Sequence, residues 1–193
     1  MKDLICLFKK NQGYLSAREV KSRAMQYRLE KLVLDGKVTR IKRGVYCLTD
    51  ALSARQMIDT ERIVPGGVLC LYSAWSHYNL TLTIPDAWYL AVEKSRKVVL
   101  PEYPPIKLVF LKEEYYEMGV ETQTIEGLKV KIYDLEKSVC DAVKYRNKTG
   151  MEVTSEIIKN YLLLPGRNIN KLVGYAKRMR IFNTLKMYLE VQL

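Results

Sequence analysis

The chain has 193 residues, 48% hydrophobic and 27% charged, which excludes wholesale disorder and suits one large domain or two small ones. Its net charge of +11 is uneven: residues 1–50 hold 12 Lys/Arg against 5 Asp/Glu, residues 51–165 hold 14 against 15, and residues 166–193 hold 6 against 1. The basic ends are expected to attract polyanions with a salt-dependent affinity; no apolar run nears the roughly 20 residues of a membrane span, and the Met1–Phe8 run is too short for a secretory leader.

Leu4, Ile5, Leu7 and Phe8 predict a short first helix that ends near Asn11 and Gly13. Ser16 with Glu19 three residues on forms a capping box, each side chain satisfying the other's backbone N–H, and opens a second short helix over residues 17–21. A third helix is predicted over residues 22–35, because Met25, Leu29, Leu32 and Val33 share one face and Gly36 follows where a left-handed residue ends a helix. Residues 38–41 and 45–48 then alternate around Lys42-Arg43-Gly44, a hairpin of minimal length. Helix, turn, helix and basic ribbon is the order of a winged helix-turn-helix. Residues 1–50 are therefore expected to form a DNA-binding domain.

In such a module the second helix of the pair enters the major groove, its N-terminal residues leading. The face opposite Met25, Leu29 and Leu32 carries Arg23, Tyr27, Glu30 and Lys31, with Gln26 and Arg28 to the sides. Arg23 and Gln26 have the bidentate geometry that suits guanine and adenine edges. Tyr27 suits a sugar or a thymine methyl, and Ser22 with the helix start would position a phosphate. Arg40, Lys42 and Arg43 would touch backbone or minor groove. Glu30 opposes phosphates unless it reads cytosine or pairs with Lys31 or Arg23.

Beyond residue 50, Ser53 is predicted to cap a helix running to about Ile63, which Pro65-Gly66-Gly67 stops. A short apolar run follows at 68–71, a helix at 73–79, and a loop closed by Pro85. Strands are expected at 88–92 and 106–111, with a hairpin of 122–125 and 128–133 around Glu126-Gly127. Glu113 and Glu114, beside Tyr115 and Tyr116, read as an acidic loop tip. Asp134 caps a helix to about Tyr145, and another spans 153–163 before Pro165-Gly166. Ile169, Leu172, Val173 and Ala176 mark one amphipathic face, and Phe182, Leu185, Leu189 and Leu193 a last one. The expected fold is thus α+β: a winged helix in residues 1–50, then a mixed α/β domain in residues 51–193 that ends in helices.

Catalytic chemistry finds little to stand on. The cysteines at 6, 47, 70 and 140 form no Cys-x-x-Cys pair and read as buried thiols of a reducing cytoplasm. The single histidine, His77, follows Ser76 without a nucleophile elbow, and no phosphate-cradling glycine loop is present. No catalytic residue, metal or cofactor is expected. Asp134 and Glu136 could hold a metal, but Asp134 sits where an N-cap belongs. Glu136, Lys137 and Asp141 form a charged side that is either an internal ion-pair cluster or a functional surface. Arg167, Lys171, Lys177, Arg178 and Arg180 form a second basic set, able to extend a DNA footprint or to face an acidic partner.

Three segments carry a family resemblance. One is Leu32-Val33-x-x-Gly36-Lys37-Val38-x-Arg40-Ile41-x-Arg43-Gly44-Val45-Tyr46. The second is Gly67-Val68-Leu69-Cys70-Leu71-Tyr72-Ser73-Ala74-Trp75-Ser76-His77-Tyr78-Asn79-Leu80-Thr81, followed by Pro85, with Asn79 standing where glycine is common. The third is Val130-x-x-Tyr133-Asp134-Leu135-Glu136-Lys137-Ser138-Val139-Cys140-Asp141. Together they resemble the AbiEi antitoxins of type IV, abortive-infection toxin–antitoxin systems. The resemblance implies a cytoplasmic autorepressor that binds operator inverted repeats in double-stranded DNA. It also implies an α/β domain that opposes a nucleotidyltransferase-like toxin without need of a stable complex. Such toxins are usually marked by Gly-Ser followed by Asp-x-Asp/Glu, and no Gly-Ser pair occurs here. The alternative is a winged-helix regulator whose C-terminal domain senses a small molecule.

Overall fold

The computed structural model describes residues 2–54 and 57–192. The chain is α+β, with helices and two sheets, and divides into two compact units. Residues 1–67, 97–106 and 122–130 form the first; residues 68–96, 107–121 and 131–193 form the second. The junction expected near residues 49–53 falls on a helix inside the first unit.

The first unit begins with α1 (Lys2–Lys10), closed by Gln12 and Gly13 at positive φ. At Gly13 a Cβ would also stand 2.7 Å from that of Ala51, so conformation and close approach both select glycine. β1 (Tyr14–Ser16) follows, then a single 3-10 turn, Ala17–Glu19. The expected helix over 17–21 does not form. Glu19 reaches back to the Ser16 N–H as the capping box requires (2.7 Å), but Val20 turns extended and buries its side chain. α2 (Arg23–Leu34) matches the expected third helix: Ser22 caps it by accepting from the Met25 N–H, and Gly36 takes φ +69°. Leu29 and Leu32 bury into a core with Leu4, Phe8, Leu15, Val20 and Val38. Each such side chain contributes about 1.5–3 kcal/mol on burial.

β2 (Val38–Lys42) and β3 (Val45–Leu48) form the predicted hairpin, with Gly44 at φ +78° in its tip. β1 pairs antiparallel with β3, Tyr14 opposite Cys47 and Ser16 opposite Val45, giving the order β1-β3-β2. Three residues are too few to show a period of two, so β1 was not expected. α3 (Thr49–Ala54) and α4 (Thr60–Ile63) replace the single helix predicted to reach Ile63. Met57 and Ile58 are buried outside helical geometry, and Asp59 caps a new helix through the Arg62 N–H. Ser53, expected at a helix start, lies within α3, and Leu193 lies outside the described residues.

The second sheet has the order β6-β5-β4-β8-β7. Its strands are β4 (Val68–Leu69), β5 (Trp88–Glu93), β6 (Ile106–Leu111), β7 (Val120–Ile125) and β8 (Leu128–Tyr133). β4 is central, antiparallel to β5 and parallel to β8. Glu126 and Gly127 both take positive φ in the β7–β8 turn, the conformation a two-residue hairpin favours. α5 (Leu71–His77) leads to Asn79 at φ +54°, so asparagine does take the left-handed form expected of it. The expected acidic loop at Glu113 is a short helix, α6 (Glu113–Tyr116). α7 (Leu135–Thr149), α8 (Met151–Leu163), α9 (Ile169–Arg178) and α10 (Phe182–Gln192) complete the unit. α7 packs against α5, α8 and α9, and Glu136 through Val143 are buried on every side of it. No helix among the described residues is long and apolar enough to cross a membrane.

Candidate nucleic-acid interface

α2 separates its two faces cleanly. Leu29 and Leu32 are buried, with Met25 and Val33 half-buried beside them. On the other side Arg23, Gln26, Tyr27, Arg28, Glu30 and Lys31 are exposed, Tyr27 by 71%. Arg23, Gln26, Tyr27, Glu30 and Lys31 fall at i, i+3, i+4, i+7 and i+8, one continuous stripe. None of the ion pairs among the described residues uses Arg23, Arg28, Lys31 or Glu30. Glu30 is thus not neutralised by Lys31 or Arg23. An aromatic ring in water with guanidinium and amide groups beside it has the donors and apolar surface that base edges require. Ser22 is exposed, and its Oγ caps α2 by accepting from the Met25 N–H (3.2 Å), a role that does not use its O–H donor.

The hairpin is divided. Arg40 and Arg43 are exposed. Arg40 lies two residues along β2 from Val38, whose side chain packs with Leu29 and Leu32. It therefore leaves the strand on the side that α2 covers. Lys42 corrects the expectation. A register shift between Arg40 and Lys42 turns it inward, half-buried, where its ammonium donates to the Ile63 carbonyl. The hairpin tip is also fastened from the other side by the Ala17 N–H, which donates to the Gly44 carbonyl (2.8 Å).

Arg62 was not singled out by the sequence. Its Nη1 donates to Ser16 Oγ (2.9 Å) and Glu19 Oε2 (2.7 Å), and its Nε pairs with Asp59 Oδ2 (3.1 Å). Asn11 Nδ2 donates to the second Glu19 oxygen (2.6 Å). Burial alone would raise the Glu19 carboxyl, but Arg62, the Ser16 N–H and Asn11 outweigh it and hold the group below the usual glutamate range. Burial dominates at Asp59 and raises it despite Arg62. The hydrogen bond to Glu19 raises Arg62 further. A pair separated by 43 residues leaves no periodic trace in a sequence; only the local Asp59-x-x-Arg62 spacing hinted at a cap.

The second basic set scatters by role. Arg167, Lys177, Arg178 and Arg180 are exposed, the first donating to the Leu164 carbonyl (2.9 Å). Lys177 lies over the Phe182 ring (5.5 Å). Lys171 is not available as a free cation: it pairs with Asp134 (3.1 Å) and lies near Glu136 (3.7 Å).

The charged residues at the start of α7, Glu136, Lys137 and Asp141, are buried, whereas Lys144 and Lys148 near its end are exposed. Lys137 is fully buried, both Asp141 oxygens accept from its ammonium at 2.6 and 2.7 Å, and the Tyr133 ring lies 4.1 Å away. Asp134 accepts from the Lys137 N–H (2.7 Å) and the Tyr175 hydroxyl (2.9 Å). Glu136 accepts from the Asn168 N–H (3.0 Å) and the Tyr161 hydroxyl (3.3 Å). Of the two readings open at Glu136, Lys137 and Asp141, the internal cluster is the one formed. Burial raises Asp141 above the usual aspartate range against the pull of Lys137, and it raises the hydroxyls of Tyr161 and Tyr175. Three cysteines are buried as expected, whereas Cys6 is exposed on α1.

No known protein family matches the sequence, and no curated protein is significantly similar to it.

Proposed function

We propose that the first unit is a winged helix-turn-helix reader of double-stranded DNA, and that the chain is a transcriptional autorepressor and antitoxin of the type IV class. The observation that carries the DNA reading is the exposed stripe of α2, Arg23-Gln26-Tyr27-Lys31, whose cations pair with no carboxylate among the described residues. The element order supports it: helix, strand, turn, helix and two strands, with β3 between β1 and β2. Arg40 and Arg43 add cations on the ribbon that follows α2. In this reading α2 enters the major groove N-terminus first, Arg23 and Gln26 read base edges, Tyr27 packs on a sugar or thymine methyl, and Arg40 and Arg43 touch phosphates. The wing is short and fastened at Lys42, so it rests against the backbone rather than entering a groove.

The antitoxin part rests on the three sequence segments and their resemblance to the AbiEi antitoxins. Its test is co-expression with the neighbouring gene, where growth rescue is the expected result and unrescued growth is the contrary one. The DNA part is tested by presenting a random duplex pool to the purified chain. Enrichment of one sequence is expected. Arg23→Ala should then weaken that duplex by roughly 1–3 kcal/mol and relax preference at one base pair. An equal loss on scrambled duplex would remove Arg23 from the role of base reader.

A further inference from the structure

We infer that Arg62 is a positioning residue for DNA reading: it sets the angle at which α2 is presented by locking the 3-10 turn before it onto α4. The inference rests on the DNA reading above and extends the reader to residue 67. The turn Ala17–Glu19, extended Val20, Lys21 and the Ser22 cap are the chain between β1 and the start of α2. The single 3-10 turn has few hydrogen bonds of its own to hold its shape, Val20 N–H to the Ala17 carbonyl (3.1 Å) and the capping-box bond of the Ser16 N–H to Glu19 Oε2 (2.7 Å). Its geometry therefore depends on outside anchors. Arg62 supplies them at both ends, donating to Ser16 Oγ before the turn (2.9 Å) and to Glu19 Oε2 at its close (2.7 Å). Asp59 holds the same guanidinium from behind (3.1 Å), so its planar fork is fixed in three directions.

Two further bonds join the same small region. Lys42 reaches the Ile63 carbonyl, one residue past Arg62, and the Ala17 N–H reaches the Gly44 carbonyl at the hairpin tip (2.8 Å). Turn, tip and α4 are thus one assembly, and Arg62 is its centre. Its side chain is a quarter exposed, Nη1 is taken up by Ser16 and Glu19 and Nε by Asp59, so its charge is spent on the assembly and not on a phosphate. Glu19 is the complement: a carboxylate whose removal, by charge alone, should favour DNA.

That opposition of sign makes the test. The full chain and its Arg62→Ala, Glu19→Ala and Tyr27→Ala variants are titrated against a fluorescent duplex enriched from a random pool, and against a scrambled duplex of the same composition, over a salt series. Positioning predicts that Arg62→Ala and Glu19→Ala each weaken the enriched duplex at least tenfold. It also predicts that both bind the scrambled duplex within about twofold of wild type, with an unchanged salt slope. Combining the two changes should add little to either alone. A direct phosphate contact by Arg62 instead predicts equal loss on both duplexes and a slope flatter by roughly 0.9, and that result overturns the inference. Glu19→Ala tightening both duplexes overturns it as well. If Arg62→Ala loses its cooperative thermal transition, Glu19→Ala, which removes the acceptor of the same contact, carries the comparison alone; unchanged discrimination in it is a refutation. A wild-type chain that enriches no duplex removes the DNA reading and this inference together. Discrimination lost in Tyr27→Ala but kept in the Arg62 and Glu19 variants removes this inference alone.

Discussion

α2 and α7 are both helices dense in charge, yet they use it oppositely. On α2 Leu29 and Leu32 are buried, and the cations of the far face are exposed and take part in no ion pair among the described residues. In the first two turns of α7 the charges themselves, Glu136, Lys137 and Asp141, are buried, and each carboxylate there and at the Asp134 cap is answered by an ammonium, hydroxyl or backbone N–H. Solvated, unpaired cations contribute little to folding and remain available to a ligand. Buried, paired ones are committed to the fold, because losing one partner strands the other in a low dielectric. Composition therefore does not separate a binding surface from a structural cluster; the partners do.

That contrast is broken most forcefully at Lys137. Lys137→Ala leaves Asp141 buried and alone, and should lower unfolding free energy by about 3–5 kcal/mol, measured by urea denaturation. Replacing both, Lys137→Met with Asp141→Leu, should recover most of that loss. If the single change is harmless, the α7 charges are not structural.

The corresponding change on α2 should leave the fold alone. Tyr27→Ala and Arg23→Ala are expected to alter stability by no more than about 0.5 kcal/mol, while taking roughly 1–3 kcal/mol from the preferred duplex. Denaturation and binding titrations on the same samples check both halves. Large destabilisation by either would place the stripe in the core's service after all.

A finer test uses acid. The Glu19 pKa is lowered on folding, so its contribution to stability is present above the ordinary glutamate range and is lost as pH falls through the folded value. Asp59, raised by burial, works the other way. The stability difference between wild type and Glu19→Gln should therefore shrink as pH falls below about 4. A difference that does not vary with pH would show that the Arg62 contact does not involve the charged carboxylate.

The smallest effect is expected from the second basic set. Lys177→Ala should change duplex affinity less than Arg43→Ala, and should leave the preferred sequence as it was. A shift in sequence preference would move the reader toward the second unit.

Much of the first unit was legible. The helix start near Ser22, the Met25-Leu29-Leu32 face, Gly36 and the Arg43-Gly44 turn are local signals, and each sits where the sequence places it. The strands of the second sheet were legible for the same reason. What escaped was non-local. β1 is three residues whose strand character comes from β3. The helix expected over 17–21 gave way to a turn held by Arg62, 43 residues from Glu19. Lys42 looked like a wing-tip cation until the register shift turned it toward Ile63. Lys171 looked solvated, but Asp134 and Glu136 claim it. In each case a partner distant in sequence decides, and a linear pattern carries no record of it.

Hydrogen exchange of the full chain, with and without an enriched duplex, probes the reader directly. The account predicts new protection concentrated in residues 22–31 and 40–43, with the α7 amides unchanged. Protection confined to the second unit, or none on α2, would contradict it.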